Sequence, residues 1–140
     1  MPASLSAPRR RIILFPLLLG VILLGLASRR YGASLPDWIA RNAGDALWTI
    51  AVYLCLALAI PRGSPWKIGL AALGISVLVE LCQLLHTPWL DGLRATLPGK
   101  LLLGAGFLWA DLFRYAAAAA LAVVADEVWA RVYRGSTAPQ

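Results

Sequence analysis

Four long apolar runs, separated by short polar stretches, fill most of this 140-residue chain and restrict its fold more than any other feature. They cover about residues 12–28, 43–60, 68–86 and 101–125. A helix needs about 20 consecutive apolar residues to cross a bilayer core, with a usual lower limit of about 17. The chain is 60% hydrophobic and only 14% charged, with a mean hydropathy of +0.72. Globular chains are roughly 45–50% apolar and about 25% charged, so the sequence predicts an all-α membrane protein in the lipid bilayer.

The first apolar run has two interpretations. It is short for a span, and a basic "RRR" before it with "GLA" at its end also fits a secretory signal peptide with a small-residue cleavage site. In that case Arg29 and Arg30 would directly follow the cut, and the rest of the chain would still be membrane-like. We therefore favour a retained helix as the first span.

The last apolar region is also ambiguous. It is either one tilted helix that contains Asp111 and Arg114, or a short re-entrant or interfacial segment over residues 101–109 followed by a span that begins near Trp109. We favour the second interpretation, because two glycines loosen the first part. The following "YAAAAALAVVA" is a strong helix former, and its small side chains allow close packing.

The sequence thus predicts a single four-helix transmembrane bundle, with a short re-entrant or interfacial segment before the last helix as an option. A basic lead covers residues 1–11, the bundle covers 12–129, and a polar tail covers 130–140. The predicted spans are about 12–28, 43–60, 68–86 and 109–129.

The basic residues stand in small groups that bracket the apolar runs. They give a net charge of +6 but form no stripe of the kind that binds nucleic acid, so we exclude a nucleic-acid partner. Such groups orient a membrane protein, because cytoplasmic loops carry an excess of Lys and Arg. The side that carries both termini has a small excess, which predicts that both termini are cytoplasmic.

Three acidic residues fall near the same end of successive spans. Asp45 lies at the start of the second span, Glu80 in the last part of the third, and Asp111 at the start of the fourth. Because neighbouring spans run in opposite directions, all three positions belong to one membrane face. We expect no comparable cluster at the opposite end, where Asp126 and Glu127 are expected to be solvated.

The third predicted span carries a polar stripe. Its members share one face at about 100° per residue, with His86 at the edge: Ser76, Glu80, Gln83 and Thr87. A charged side chain at this depth costs about 2.5–3.5 kcal/mol on insertion scales unless it faces the bundle interior or a water-filled cavity. The stripe therefore predicts a polar site, in which His86 is either a hydrogen bonder at the helix end or a proton-transfer group.

Arg94 is the natural counter-ion in the loop that follows this stripe. Its guanidinium could hold a phosphate or a carboxylate, or pair with Glu80 or Asp91. The alternative to a ligand site is an internal salt-bridge cluster that only fixes helix packing. Asp111 and Arg114, three residues apart, could also neutralise each other within one helix. We favour a site, because ionisable residues inside a membrane are functional candidates by default.

Three segments resemble a known family. They are "GDALWTIAVY" (44–53), "VELCQLLHTPWLDGLRAT" (79–96) and "FLWADLFRY" (107–115), and they are similar to an uncharacterised bacterial integral-membrane family of unknown function, sometimes labelled YjgA. The resemblance covers about residues 28–125 and includes the pattern E-x-x-Q-x-x-H-x-P-W-L-D-x-L-R. It implies a multi-pass protein of a bacterial inner membrane.

More distantly, the layout is similar to that of VanZ-like proteins, which are associated with teicoplanin resistance. Those proteins carry an Asp and an aromatic residue in the second span, E-x-x-Q in the third, an Arg after it, and an Asp opening the fourth. The matching positions here are Asp45 with Tyr53, Glu80 with Gln83, Arg94, and Asp111; Ala46, Trp48 and Tyr115 replace the Lys, His and Asn of that pattern.

The residues and the resemblance leave three functions open. The first is a binding site for a lipid-linked or glycopeptide-like envelope molecule, the second a structural or assembly role with the polar cluster as internal glue, and the third a small proton-coupled carrier using Glu80 and His86. No familiar enzyme motif occurs, so the sequence favours a protein without catalytic activity but leaves catalysis open, and a metal or a cofactor is not expected. The expected partners are the lipid bilayer and a lipid-linked or anionic ligand, and homo-oligomerisation stays open. The candidate ligand-binding residues are Asp45, Glu80, Gln83, His86, Asp91, Arg94, Asp111 and Tyr115.

Overall fold

The computed structural model describes residues 7–103 and 108–136. These residues form helices and short connections without a strand, so the all-α class is confirmed for them. The helices are α1 (Ala7–Arg30), α2 (Asp37–Ala59), α3 (Pro65–Cys82), α4 (Pro88–Ala95), α5 (Leu97–Leu103) and α6 (Trp109–Ser136), with a 3-10 turn at Gly32–Ser34.

Three of these helices are long and apolar enough to cross a membrane. They are Pro8–Arg30 within α1, Asp37–Ala59 and Pro65–Cys82. The membrane class predicted from the apolar runs therefore agrees with the structure. α6 is the longest helix at 28 residues, but it carries acidic and basic side chains near both of its ends.

Two helices begin earlier than the sequence predicts. α1 starts at Ala7, so the arginines of the expected basic lead are helical rather than a separate segment. α2 starts at Asp37 instead of near residue 43, directly after Pro36. An acidic residue in the first turn is favourable there because it lies beside the unpaired N–H groups at the positive end of the helix dipole.

α3 ends at Cys82 and not at His86, so the predicted end of the third span is wrong. The N–H groups of Gln83, Leu84 and Leu85 each bond to a carbonyl three residues back, at 3.0–3.1 Å. The last turn therefore tightens and the chain leaves the helix before Thr87, whose helical conformation is disfavoured by Pro88. The polar stripe expected on one continuous helix is consequently divided after Gln83.

α2 is the central helix of the structure. It packs against α1, α3 and α6, and α3 packs in turn against α6. α3 and α6 approach each other closely at Gly69. A Cβ atom at this position would lie 2.3 Å from a methyl group of Val123 and 3.9 Å from the carbonyl oxygen of Ala119. Small residues at this crossing let the two backbones come together.

The interior changes character along the bundle. We call the end where α2 and α6 begin and α3 ends the polar end, and the opposite end, where α1 begins and α6 ends, the terminal end. The apolar core lies towards the terminal end and contains Leu14, Leu18, Tyr53, Leu54, Ala57, Ile68, Ala72 and Val123. Towards the polar end the interior is built from Thr49, Ser76, Glu80 and Asp111, all of them buried.

Candidate functional site

Glu80 is fully buried and both of its carboxylate oxygens accept hydrogen bonds. Oε1 accepts from the backbone N–H of Leu108 at 2.8 Å, and Oε2 accepts from the hydroxyl of Tyr115 at 2.8 Å. Leu108 directly precedes α6, so Glu80 of α3 satisfies one of the N–H groups that a helix start leaves unpaired. The acid therefore fixes the beginning of α6 against α3.

Arg114 joins α6 to α2. Its Nε donates to Oδ1 of Asn42 at 2.6 Å, and Nη1 donates to Oδ2 of Asp45 at 3.3 Å. Nη1 also donates to Oδ1 of Asp111, one turn earlier on the same helix. The pair expected from the i, i+3 spacing therefore forms, but the guanidinium is shared across the helix boundary as well.

This group remains partly accessible. The side chains of Arg114 and Asp45 are 22% and 27% exposed, whereas that of Asp111 is 9% exposed. A second arginine lies along the same edge, since a Cβ atom at Gly44 would be 3.5 Å from Nε of Arg29. We call Asn42, Asp45, Glu80, Asp111, Arg114 and Tyr115 the polar-end cluster.

Two hydroxyl groups continue the polar interior one turn deeper. The side chains of Thr49 and Ser76 are buried and their oxygens lie 3.1 Å apart. Thr49 is four residues after Asp45, and Ser76 is four residues before Glu80, so each lies under a member of the cluster on its own helix. Beyond this pair the interior passes into the apolar core.

Arg94 closes the C-terminal end of α3. Its guanidinium donates to the carbonyl oxygens of Cys82 at 2.5 Å and Leu85 at 2.8 Å, and to Oδ1 of Asp91 at 3.1 Å. The last carbonyls of a helix lack intrahelical partners, and a cation there also favours the helix dipole. Of the two carboxylates that the sequence offered to Arg94, the structure pairs it with Asp91, while the oxygens of Glu80 are occupied elsewhere.

His86 lies outside α3 and away from the membrane-buried acid. Its side chain is exposed, and Nδ1 lies 3.6 Å from Oδ1 of Asp91. Gln83 is the C-cap residue of α3, and its side chain is buried. The candidates thus divide into the polar-end cluster and a corner between α3 and α4 that contains His86, Asp91 and Arg94. A proton relay from Glu80 to His86 gains no support from this geometry.

The match to protein-family models covers the cluster and the corner together. A family described as "Protein of unknown function (DUF2809)" matches residues 34–119, which is more than half of the chain. The chain belongs to this family. The sequence-based prediction of an uncharacterised family of unknown function is therefore confirmed. No solved structure matches the chain.

The DUF2809 match leaves out most of a second polar cluster, at the terminal end. Arg10 donates from Nη2 to Oδ2 of Asp126 at 2.5 Å and from Nη1 to the carbonyl of Pro61 at 2.6 Å. Tyr53 donates its hydroxyl to the same Asp126 oxygen at 2.6 Å. Arg10 and Asp126 lie outside the matched range, whereas Tyr53 lies inside it. We call Arg10, Tyr53 and Asp126 the terminal-end cluster.

Two sequence-based expectations are corrected by this cluster in the DUF2809 chain. The opposite end of the bundle does carry a comparable polar group, and Asp126 is not solvated, because its side chain is only 9% exposed.

Asn42 and Thr49 were missed as well, although helical spacing places them beside Asp45 on α2. Asn42 lies three residues before Asp45 and Thr49 four residues after it, and this helical spacing is the signal that could have identified them.

Among residues 7–103 and 108–136 of this DUF2809 chain, no group of His, Cys, Asp or Glu side chains is arranged to hold a metal ion. The polar-end cluster offers hydrogen bonds and charge. It can accept hydrogen bonds from a ligand through Asp45 and donate to one through Arg114.

Proposed function

We propose that this chain is a four-span protein of a bacterial inner membrane, with both termini in the cytoplasm and a distant relation to VanZ-like proteins. At its polar end it binds the head group of an envelope amphiphile, such as a lipid-linked or glycopeptide-like molecule. The family description assigns no activity, so the site itself has to support the proposal.

The fourth span is α6. It runs beside α2 and α3, both of which are long and apolar enough to cross a membrane. Three of its charged residues are paired, since Asp111 pairs with Arg114 and Asp126 pairs with Arg10. Paired charges that face the bundle interior cost much less in lipid than isolated ones.

The partly open pair of Asp45 and Arg114 carries the ligand proposal. At 3.3 Å the contact is long for a charge-assisted hydrogen bond, which is usually about 2.7–2.9 Å. Both side chains keep roughly a quarter of their surface exposed at one membrane face. A polar head group can therefore replace one contact of each residue without unfolding the bundle, whereas the closed carboxylate of Glu80 offers no such exchange.

The test is native mass spectrometry of the protein purified from its own membrane in detergent. Asp45→Asn and Arg114→Gln remove the charges of the open pair; the first preserves side-chain size, and the second shortens the side chain but keeps an amide that can donate hydrogen bonds. Asp126→Asn is the matched control, because it makes the same chemical change at the terminal end. A co-purifying phospholipid or lipid-linked mass held by the unaltered chain and the control, but lost from both variants, supports the proposal.

If every form is free of ligand at equal folded yield, the polar end is not a tight binding site. If every form is free of ligand and the Asp45 and Arg114 variants also fold in lower yield, a structural or assembly role, with the cluster as internal glue, is the better account. The specific observation in favour of that second candidate is Glu80, whose two oxygens are both used to hold α6. In that case the variants of Asp45 and Arg114 change the folded yield and no ligand.

A further inference from the structure

The short helix α4 is held in a defined place at the end of α3. The Arg94 guanidinium on α4 bonds to two carbonyls at the C-terminal end of α3, and its side chain is only 10% exposed. α5 packs back on α4 so closely that a Cβ atom at Gly99 would lie 1.7 Å from the carbonyl oxygen of Leu93. α4 therefore cannot continue the direction of α3 and stays at this end of the bundle.

The surface of α4 is divided into three sectors. Leu90 and Arg94, one turn apart, face the protein, and Leu90 is buried. Trp89 and Leu93, also one turn apart, form an apolar sector that is 68% and 46% exposed. The remaining exposed sector is small or polar and contains Asp91, Gly92 and Ala95.

A larger apolar surface precedes α4 in the chain. Leu78 and Leu81 on α3, and Leu85 between α3 and α4, are 61%, 45% and 58% exposed. α3 is a candidate membrane span, so this exposed leucine surface faces hydrocarbon. Trp89 and Leu93 follow this surface in the sequence, just after the candidate span ends.

We propose that α4 lies in the plane of the membrane at the polar end, with Trp89 and Leu93 inserted into the boundary between head groups and acyl chains. Eight residues extend only about 12 Å as a helix, too short to cross a bilayer. Tryptophan favours the head-group boundary, and short amphipathic helices bury their apolar side there. This proposal depends on α3 spanning the membrane and is independent of any ligand at the polar-end cluster.

The occupant of this surface is the lipid leaflet. A lipid surface needs no matching shape, and the division of α4 into an apolar side and a polar side is what an interface between hydrocarbon and water requires. The carboxylate of Asp91 and the exposed imidazole of His86 then lie on the water side, at head-group level.

Cysteine accessibility tests the orientation of α4. On a background with Cys55→Ala and Cys82→Ala, single cysteines are placed at Trp89 and Leu93, and at Gly92 and Ala95 as matched controls on the same helix. Gly92 is a suitable control because a Cβ atom there meets nothing within 4 Å. The purified full-length protein is reconstituted in phospholipid nanodiscs and labelled with a charged maleimide, and the rates are normalised to those in denaturing detergent.

We expect cysteines at positions 89 and 93 to react several-fold more slowly than those at 92 and 95. Equal rates at the four positions would overturn the proposal, because the helix would then be fully in water. Protection of 89 and 93 in native membranes but not in nanodiscs would also overturn it, since a protein partner would then be the cover. If Trp89→Cys does not fold, the comparison of Leu93→Cys with the two controls decides alone.

Discussion

The two polar clusters of this bundle are made from the same parts but connected differently. In each of them a tyrosine hydroxyl donates to a buried carboxylate, Tyr115 to Glu80 at the polar end and Tyr53 to Asp126 at the terminal end. At the terminal end Arg10 bonds to that same carboxylate. At the polar end Arg114 is instead shared between two other acids, Asp45 and Asp111.

The two clusters also differ in exposure. The side chains of Arg10 and Asp126 are 11% and 9% exposed, about half the exposure of Arg114 and less than half that of Asp45. At the terminal end one acid pairs with one cation, whereas at the polar end two acids, Asp45 and Asp111, share the Arg114 guanidinium. A carboxylate–arginine group is thus a closed clamp where its charges are matched one to one and a partly open site where they are not.

The largest loss of stability is expected at the terminal-end cluster, which is the closed clamp. Asp126→Ala leaves the Arg10 guanidinium and the Tyr53 hydroxyl without their common partner, and breaking a buried ion pair in this way costs about 3–5 kcal/mol. We expect the value near the lower limit, because Arg10 also bonds to the Pro61 carbonyl and keeps some solvent contact. Thermal unfolding in detergent measures the loss.

A compensating variant sharpens this prediction. Arg10→Met, Tyr53→Phe and Asp126→Leu together replace the clamp by apolar side chains of similar size, which is often neutral for a buried ion pair. We expect this triple variant to recover most of the stability lost in Asp126→Ala. If it unfolds as early as the single variant, the terminal-end cluster does more than hold the helices.

The next largest loss of stability is expected from substitutions of Glu80. Glu80→Ala leaves two neutral donors unpaired, the Leu108 N–H in a part-buried contact and the buried Tyr115 hydroxyl. Because no charge is left unpaired and one donor is only partly buried, we expect each cost near the lower end of about 1–3 kcal/mol. Glu80→Gln keeps one good acceptor and should lose less. Unfolding temperatures of the two variants measure the order, and equal losses would contradict a role based on hydrogen-bond acceptance.

The smallest effect is expected at the hydroxyl pair below the polar-end cluster. Thr49→Ala removes a single neutral hydrogen bond to Ser76, which is worth about 0.5–1.5 kcal/mol. Thr49→Ser retains the hydroxyl and is the matched control. A loss as large as that of Glu80→Ala would mean that the polar interior acts as one cooperative network and that the two ends differ less than the contacts indicate.

The sequence predicted the part of this architecture that local patterns determine. Apolar runs located the three helices that are long and apolar enough to span a membrane, and alternating helix direction placed Asp45 and Asp111 at one end, where Arg114 bonds to both. The start of α2 was missed because its first turn is polar, and apolar length alone does not reveal a favourable Pro36–Asp37 start.

Long-range partners account for the remaining errors. Asp126 was taken as solvated because its partner Arg10 is 116 residues away, and no local spacing connects them. The end of α3 was placed too late because the carbonyls at Cys82 and Leu85 are satisfied by Arg94, a side chain of the next helix. A periodic pattern shows which side chains share a helix face, but it does not show which residue far away in the sequence forms hydrogen bonds or ion pairs with them.

The contact between Glu80 and the start of α6 also sets an order on biosynthesis. The chain is made from its N-terminus, so Glu80 enters the membrane region before Tyr115 and Leu108 exist to receive it. Until α6 arrives, α3 holds an acid without its final partners, at a cost of about 2.5–3.5 kcal/mol on insertion scales. A chain cut short before residue 108 would therefore keep the Glu80 carboxylate without either of these two partners.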